Sequence, residues 1–122
     1  MVTLISFDID GTLEVGDPPG PIPMALVRQA KHLGCLIGSC SDRLLSDQRR
    51  LWEHHRVSVD FTVLKHRLAE VKARFPADVY YHVGDTDLDR LYAQQAGFRF
   101  VKADASGRQV LGAAVLPEGP EP

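Results

Sequence analysis

Residues 4–13 read LISFDIDGTL, and a similar arrangement returns at residues 79–89, VYYHVGDTDLD. In each stretch an apolar run with the length of a strand is followed directly by aspartates. These are Asp8 and Asp10 in the first stretch, and Asp85, Asp87 and Asp89 in the second. Such runs are typical of buried strands. The sequence therefore predicts that both groups of carboxylates emerge at strand ends.

Strand and helix patterns alternate along the chain. The predicted strands are 3–7, 35–40, 61–64, 79–83 and 98–101. The predicted helices start at Pro23 and end at Gly34, run from an N-cap at Asp42 to His55, and cover 66–75 and 87–96. This alternation predicts an α/β fold, a three-layer sandwich with a central parallel five-stranded sheet of Rossmann-like type. Ligands bind such sheets at the carboxyl ends of the strands, where both groups of aspartates fall.

The length of 122 residues predicts a single domain over 1–116, with no room for a second one. The apolar segment 109–116 is expected to pack as a final helix or a final strand. Residues 117–122, PEGPEP, have the composition of a disordered tail.

The composition, 44% apolar and 25% charged, is that of an ordinary globular protein, and no apolar run approaches the ~20 residues of a membrane span. The N-terminus runs straight into the first predicted strand, without the pattern of a signal peptide. Cys35 and Cys40 lie too far apart along one predicted strand for a disulfide and are expected to be buried thiols. A catalytic role for Cys40 is the weaker alternative. These features predict a cytoplasmic protein with no membrane partner.

Carboxylates gathered at one place repel one another and need a cation. Mg²⁺ prefers carboxylate and carbonyl oxygens and keeps several of its waters, so it fits such an acidic pocket. The sequence thus predicts Mg²⁺ as the cofactor, and phosphoryl transfer as the chemistry.

The two acidic motifs resemble those of the haloacid dehalogenase-like (HAD) hydrolase superfamily. Its phosphatases carry Asp-x-Asp-Gly-Thr after the first strand, as in residues 8–12, and a later Gly-Asp-x-x-x-Asp, as in residues 84–89. The resemblance extends from Leu4 to about Val101. It implies the HAD core fold with strand order 5-4-1-2-3 and phosphomonoester hydrolysis.

The resemblance implies a role for each aspartate. Asp8 would attack phosphorus and form an aspartyl-phosphate, while Asp10 would protonate the leaving group and then activate water. The metal ligands would be Asp8, the backbone carbonyl of Asp10, and Asp85, with Asp89 in direct or water-mediated support.

The resemblance also implies residues that hold the substrate phosphate. Ser41 matches the hydroxyl after the second strand, with Ser39 as the alternative on the same strand face. Lys65 matches the cation after the third strand, with Lys72 as the alternative. Gly11 would permit the tight turn after the nucleophile, and Thr12 would hydrogen-bond nearby backbone.

Several charged residues near these motifs have simpler interpretations. Asp87 is expected to cap the helix that follows it rather than to bind metal. Four arginines are expected to form a solvated helix face, although contact with an anionic substrate is the alternative: Arg43, Arg49, Arg50 and Arg56.

The segments that carry cap domains in larger HAD relatives are short here. Residues 14–22 and 44–64 leave no room for such a domain, so the chain resembles a minimal capless member. By family analogy a capless site suits a large substrate or a homo-oligomer in which a neighbouring subunit closes the site.

Two other functions stay open from the sequence. One is a nucleic-acid 3′-end phosphatase, although 16 acidic and 14 basic residues, a net charge of −2, do not favour nucleic-acid binding. The other is a non-catalytic domain that binds a phospho-ligand or a partner.

Overall fold

The computed structural model describes residues 1–115, so the tail predicted at 117–122 lies outside the described residues. The strands are β1 (Thr3–Phe7), β2 (Leu36–Ser41), β3 (Phe61–Leu64), β4 (Val79–Gly84) and β5 (Arg99–Lys102). The helices are α1 (Met24–His32), α2 (Leu45–His54), α3 (Leu68–Arg74), α4 (Asp87–Ala96) and α5 (Ala105–Val115). A 3₁₀ turn, Lys65–Arg67, leads into α3. In this part of the chain no helix is both long and apolar enough to cross a membrane.

The strands form one parallel sheet in the order β3-β2-β1-β4-β5. The predicted α/β fold with a parallel five-stranded sheet is confirmed, and the order is the one that the HAD resemblance implies. Helices cover both faces. One core cluster packs α1, α2 and α5 against the face of Ile5 and includes Trp52. The other packs α3 and α4 against Leu4, because successive side chains of β1 point to opposite faces.

The register of the central strands brings the two acidic motifs together. Phe7 of β1 pairs with Val83 of β4, and the Asp8 N–H donates to the Val83 carbonyl at 2.9 Å. Parallel strands end on the same edge of the sheet, so Asp8 and Asp85 leave neighbouring strands at neighbouring points.

The start of α2 differs from the prediction. Asp42 does not cap this helix, whose N-cap is Leu44 and lacks a side-chain capping bond. The chain makes a tight turn before the helix begins, and in this turn the Ser41 hydroxyl accepts the Arg43 N–H at 3.0 Å. Asp42 instead places a carboxylate oxygen 3.9 Å from the ammonium of Lys65.

The final predicted element is a helix, and it begins at Ala105, before the predicted start at 109. Asp104 fixes this start, because its Oδ1 accepts the Gly107 N–H at 2.7 Å and its carbonyl accepts the Arg108 N–H at 2.9 Å. Aspartate is a favoured residue at a helix N-terminus.

Residues 14–22 form a short connection beside β1. The Glu14 N–H donates to the Ile22 carbonyl, and the Ile22 N–H donates to the Thr12 carbonyl, both at 2.9 Å. These bonds tie the connection to the turn after β1. Over residues 1–115 no cap domain is inserted between the elements of the sheet.

Candidate functional site

Three aspartates meet at the carboxyl edge of the sheet, where β1 and β4 lie side by side. Asp8, Asp85 and Asp89 each offer a carboxylate oxygen, and these oxygens all lie within 4.8 Å of one another. Asp8 and Asp89 are buried, whereas Asp85 is exposed. The structure therefore brings together the three aspartates whose carboxylates are expected to hold or support a metal. Asp10 is expected to bind through its backbone carbonyl, which stays a prediction, and its carboxylate contacts Arg43 instead of the cluster.

The surroundings of Asp8 disfavour its charged form. Burial raises the pKa of Asp8 to about 8, with a further rise from the negative charge of Asp89. The Lys65 ammonium, 3.5 Å from Asp8 Oδ2, opposes this shift but does not cancel it. An added cation would stabilise the carboxylate. Because the cluster offers only oxygen ligands, it fits a hard divalent ion such as Mg²⁺.

The turn after β1 fits closely around Asp85. Gly11 has a φ of +76°, in the left-handed region that glycine adopts without strain. A Cβ on Gly11 would lie 2.1 Å from Asp85 Oδ2, so only glycine lets this carboxylate approach the backbone. The buried Thr12 hydroxyl donates to Asp85 Oδ1 at 3.5 Å. Gly11 and Thr12 thus position Asp85, and a direct contact with phosphate stays a prediction for both.

The raised pKa of Asp8 predicts how its removal changes stability. A carboxyl whose pKa is about 8 in the folded state, well above the ordinary value of an aspartate, stabilises the folded state most at low pH and progressively less as the pH rises to 8. In metal-free protein we therefore expect Asp8→Asn to raise the melting temperature relative to wild type, by a margin that grows from pH 5 to pH 8 and then levels off. Thermal unfolding in chelator across this range measures it. A margin that is independent of pH would contradict the electrostatic account of Asp8.

Asp10 is held by Arg43. The guanidinium Nη2 lies 2.6 Å from Asp10 Oδ1, and Nε lies 3.1 Å from Oδ2. The Asp17 N–H also donates to Oδ1, at 2.8 Å. These bonds, above all those from Arg43, hold the pKa of Asp10 below its ordinary value.

The prediction of a solvated helix face is wrong for Arg43. This residue precedes α2, and its guanidinium binds Asp10. Arg49 and Arg50 are exposed as expected.

Lys65, and not Lys72, reaches the acidic cluster. Besides its contact with Asp8, its ammonium lies 3.5 Å from each carboxylate oxygen of Asp89. Burial acts to lower the pKa of Lys65, but the charges of the neighbouring aspartates outweigh it and raise that pKa. Lys72 donates instead to the Gly97 carbonyl at 3.2 Å.

The two serines of β2 have different surroundings. The Ser39 hydroxyl donates to Gln48 Oε1 at 2.6 Å and accepts from Trp52 Nε1 at 2.9 Å, so it belongs to the core beneath α2. Ser41 lies at the end of the strand, with its hydroxyl in the tight turn to Arg43. This arrangement favours Ser41 as the phosphate ligand, and the assignment remains a prediction.

Thr86, not Asp87, caps α4, so the prediction for Asp87 is wrong. Thr86 Oγ1 accepts the Asp89 N–H at 3.2 Å, and Asp89 Oδ2 accepts the Thr86 N–H at 3.3 Å, a reciprocal capping box. His82 Nε2 also lies 3.0 Å from Asp89 Oδ1. Burial acts to raise the pKa of Asp89, but the bond from His82 and the charge of Lys65 outweigh it and lower that pKa to about 2.

His82 and Gln48 also contact residues of the site, and neither was predicted from the sequence. Gln48 Nε2 donates to the carbonyls of Ser41, Arg43 and Val63, at 3.3, 2.9 and 3.1 Å, and so holds the loop after β2 against β3. The only signal for His82 was its place as an ionisable residue in an otherwise uncharged strand. Gln48 carried no signal, because α2 has polar residues on several sides.

Both cysteines are free thiols. Cys40 is buried as predicted, whereas Cys35 is only half-buried. Burial raises the pKa of Cys40, which disfavours the reactive thiolate. The structure gives no support to a nucleophilic role for Cys40.

Comparison with known proteins adds no assignment to this geometry. No protein-family model matches the chain, and no curated protein matches it significantly. The resemblance to HAD-like hydrolases therefore rests on the two acidic motifs, the residues that follow β2 and β3, and the strand order.

Proposed function

We propose that this chain is a Mg²⁺-dependent phosphomonoester hydrolase that acts through an aspartyl-phosphate on Asp8. One observation carries the proposal. A buried carboxylate at the end of the central strand has a lysine ammonium at 3.5 Å and two further carboxylates within reach of a shared cation. A core ion pair needs no such surplus of negative charge, whereas a site for a metal and a phosphoryl group does.

The proposed reaction has two steps that use residues of this chain. In the first, an oxygen of Asp8 bonds to phosphorus while the bond to the leaving oxygen breaks, and Asp10 gives that oxygen its proton. In the second, Asp10 takes a proton from water, which attacks phosphorus and releases inorganic phosphate and free Asp8. Lys65 and Ser41 would hold the phosphoryl oxygens.

Mg²⁺ would be held by Asp8, Asp85 and the backbone carbonyl of Asp10, and it would supply positive charge to the phosphoryl oxygens. Asp89 already accepts protein hydrogen bonds at both carboxylate oxygens. We therefore assign Asp89 to the support of Lys65 and to indirect support of the metal.

The pairing of Asp10 with Arg43 bears on proton transfer. Asp10 protonates a leaving group only from its protonated form, whose fraction falls as the pH rises above the pKa of Asp10, and Arg43 lowers that pKa. We expect Arg43→Ala to move the alkaline limb of the kcat profile to higher pH, measured with an alkyl phosphate, whose leaving oxygen needs a proton. The exposed Arg49→Ala is the matched control and should leave the limb in place. An unmoved limb in Arg43→Ala would contradict proton donation by Asp10.

The broader context is also proposed. Two free thiols agree with a reducing cytoplasmic compartment. The absence of a cap domain from residues 1–115 suggests a large substrate or a homo-oligomer, which a sizing measurement would separate.

A substrate panel tests the proposal. It should contain phosphorylated metabolites, p-nitrophenyl phosphate and oligonucleotides with 3′-phosphates, each assayed with Mg²⁺ and with chelator. We expect Mg²⁺-dependent release of phosphate by wild type and by the control Asp87→Asn, and none by Asp8→Asn. Release only from oligonucleotides would indicate the nucleic-acid end phosphatase. Binding of phosphate without any release would favour the non-catalytic domain.

A further inference from the structure

A chain of buried polar side chains runs under the candidate site from β1 to Lys65. Ser6 Oγ lies 3.0 Å from His82 Nδ1, and His82 Nε2 lies 3.0 Å from Asp89 Oδ1. The Lys65 ammonium lies 3.5 Å from that same Asp89 oxygen and 3.5 Å from Asp8 Oδ2. Each member of the chain contacts the next, and the last contact is with the proposed nucleophile.

Burial fixes the hydrogen bonds between these four side chains. His82 is 1% exposed and Asp89 is 0% exposed, so water does not compete for either side chain. A carboxylate only accepts hydrogen bonds, so the proton between His82 and Asp89 belongs to His82 Nε2. His82 Nδ1 can then accept the proton of the Ser6 hydroxyl.

His82 holds one oxygen of Asp89 while the helix terminus holds the other. Asp89 Oδ2 accepts from Thr86 Oγ1 at 2.8 Å and from the Thr86 N–H at 3.3 Å. Besides Lys65, His82 is the donor to Oδ1 among the described residues. Without His82 this oxygen would keep only the lysine, and the carboxylate could rotate about the cap.

We propose that His82 is a positioning residue that fixes the Asp89 carboxylate and, through it, holds the Lys65 ammonium where it meets a phosphoryl group on Asp8. The proposal rests on the proposed function for the identity of the group that Lys65 binds. It assigns a role in the site to a residue of the sheet interior that contacts neither metal nor substrate.

The test compares two replacements of His82. His82→Leu fills a similar volume without a donor, whereas His82→Gln offers an amide N–H to Asp89. The probe is inorganic phosphate, titrated by calorimetry in the presence of Mg²⁺. A buried hydrogen bond to a charged group corresponds to about tenfold or more in an equilibrium constant. We expect His82→Leu to weaken phosphate binding by about that factor, and His82→Gln to recover most of it.

Two further measurements separate positioning from general destabilisation. In His82→Leu the loss of Mg²⁺ affinity in the absence of phosphate should be smaller than the loss of phosphate affinity, because Asp8 and Asp85 stay in place as the proposed direct ligands. Asp89→Asn should weaken phosphate binding as His82→Leu does, and the double variant should be no weaker than Asp89→Asn alone, because the two residues act in series. Ser39→Ala is the matched control. It removes the hydroxyl of a serine that is buried as fully as His82 and that makes two side-chain bonds, neither of which reaches Lys65. It should therefore lower stability and leave phosphate binding unchanged.

Unchanged phosphate binding in His82→Leu, failure of His82→Gln to restore it, or additive losses in the double variant would each overturn the proposal. If His82→Leu does not fold, His82→Asn takes its place, since its shorter amide does not reach Asp89. The readout does not depend on turnover. A wild type that binds phosphate but hydrolyses nothing contradicts the proposed function and leaves the role of His82 intact.

Discussion

Asp8→Asn is expected to abolish phosphatase turnover, with a loss of roughly 10⁴-fold or more. A neutral amide cannot form the acyl-phosphate. The variant should still fold, because Asp8 is buried in a setting that already disfavours its charge. The measurement is kcat on p-nitrophenyl phosphate in saturating Mg²⁺, with folding checked by thermal unfolding.

Asp87→Asn is the matched control for this loss. It makes the same chemical change on an exposed aspartate at the start of α4, outside the acidic cluster. It should retain wild-type turnover. Undiminished activity of Asp8→Asn in contaminant-free protein would rule out the covalent mechanism.

Asp85→Asn is expected to weaken Mg²⁺ binding by at least about tenfold. Loss of a residue that only supports a metal ligand typically costs 10–100-fold, and Asp85 is proposed as a direct ligand. The exposed position of Asp85 limits the effect on folding, so the loss should appear in calorimetric titration of Mg²⁺ with little change in melting temperature.

The comparison with Asp87→Asn again decides the interpretation. Asp87 lies two residues further on but does not share the cluster of Asp8, Asp85 and Asp89. Its replacement should change Mg²⁺ affinity by less than about threefold, as expected for a surface charge. Equal losses in the two variants would show that the effect is general electrostatics near α4 and not ligation.

The convergence of Asp8, Asp85 and Asp89 was predictable from the sequence. Apolar runs of strand length precede both motifs, and in a parallel sheet all strands end on one edge. The position of Lys65 followed in the same way, because it comes directly after β3. A single sequence thus shows which residues follow a strand, although it places the end of the strand only to within one or two residues.

Side-chain partners and helix starts could not be predicted. Both Thr86 and Asp87 are acceptable N-caps, and the choice between them depends on where β4 ends. The two hydrogen bonds from Arg43 to Asp10 depend on the tight turn at Ser41. The sequence predicted a helix N-cap at Asp42 in place of that turn. The pairing of His82 with Asp89 requires the capping box that turns Asp89 inward.

The central claim is a phosphoryl group on Asp8, and trapping it tests the account most directly. The variant Asp10→Asn should be mixed with p-nitrophenyl phosphate and Mg²⁺, since this leaving group needs no proton while the water that ends the cycle needs Asp10 as base. Acid quenching and peptide mass spectrometry should then find one phosphoryl group on Asp8. Hydrolysis by wild type, with no phosphorylated Asp8 in the quenched variant, or with the group on another residue, would contradict the account.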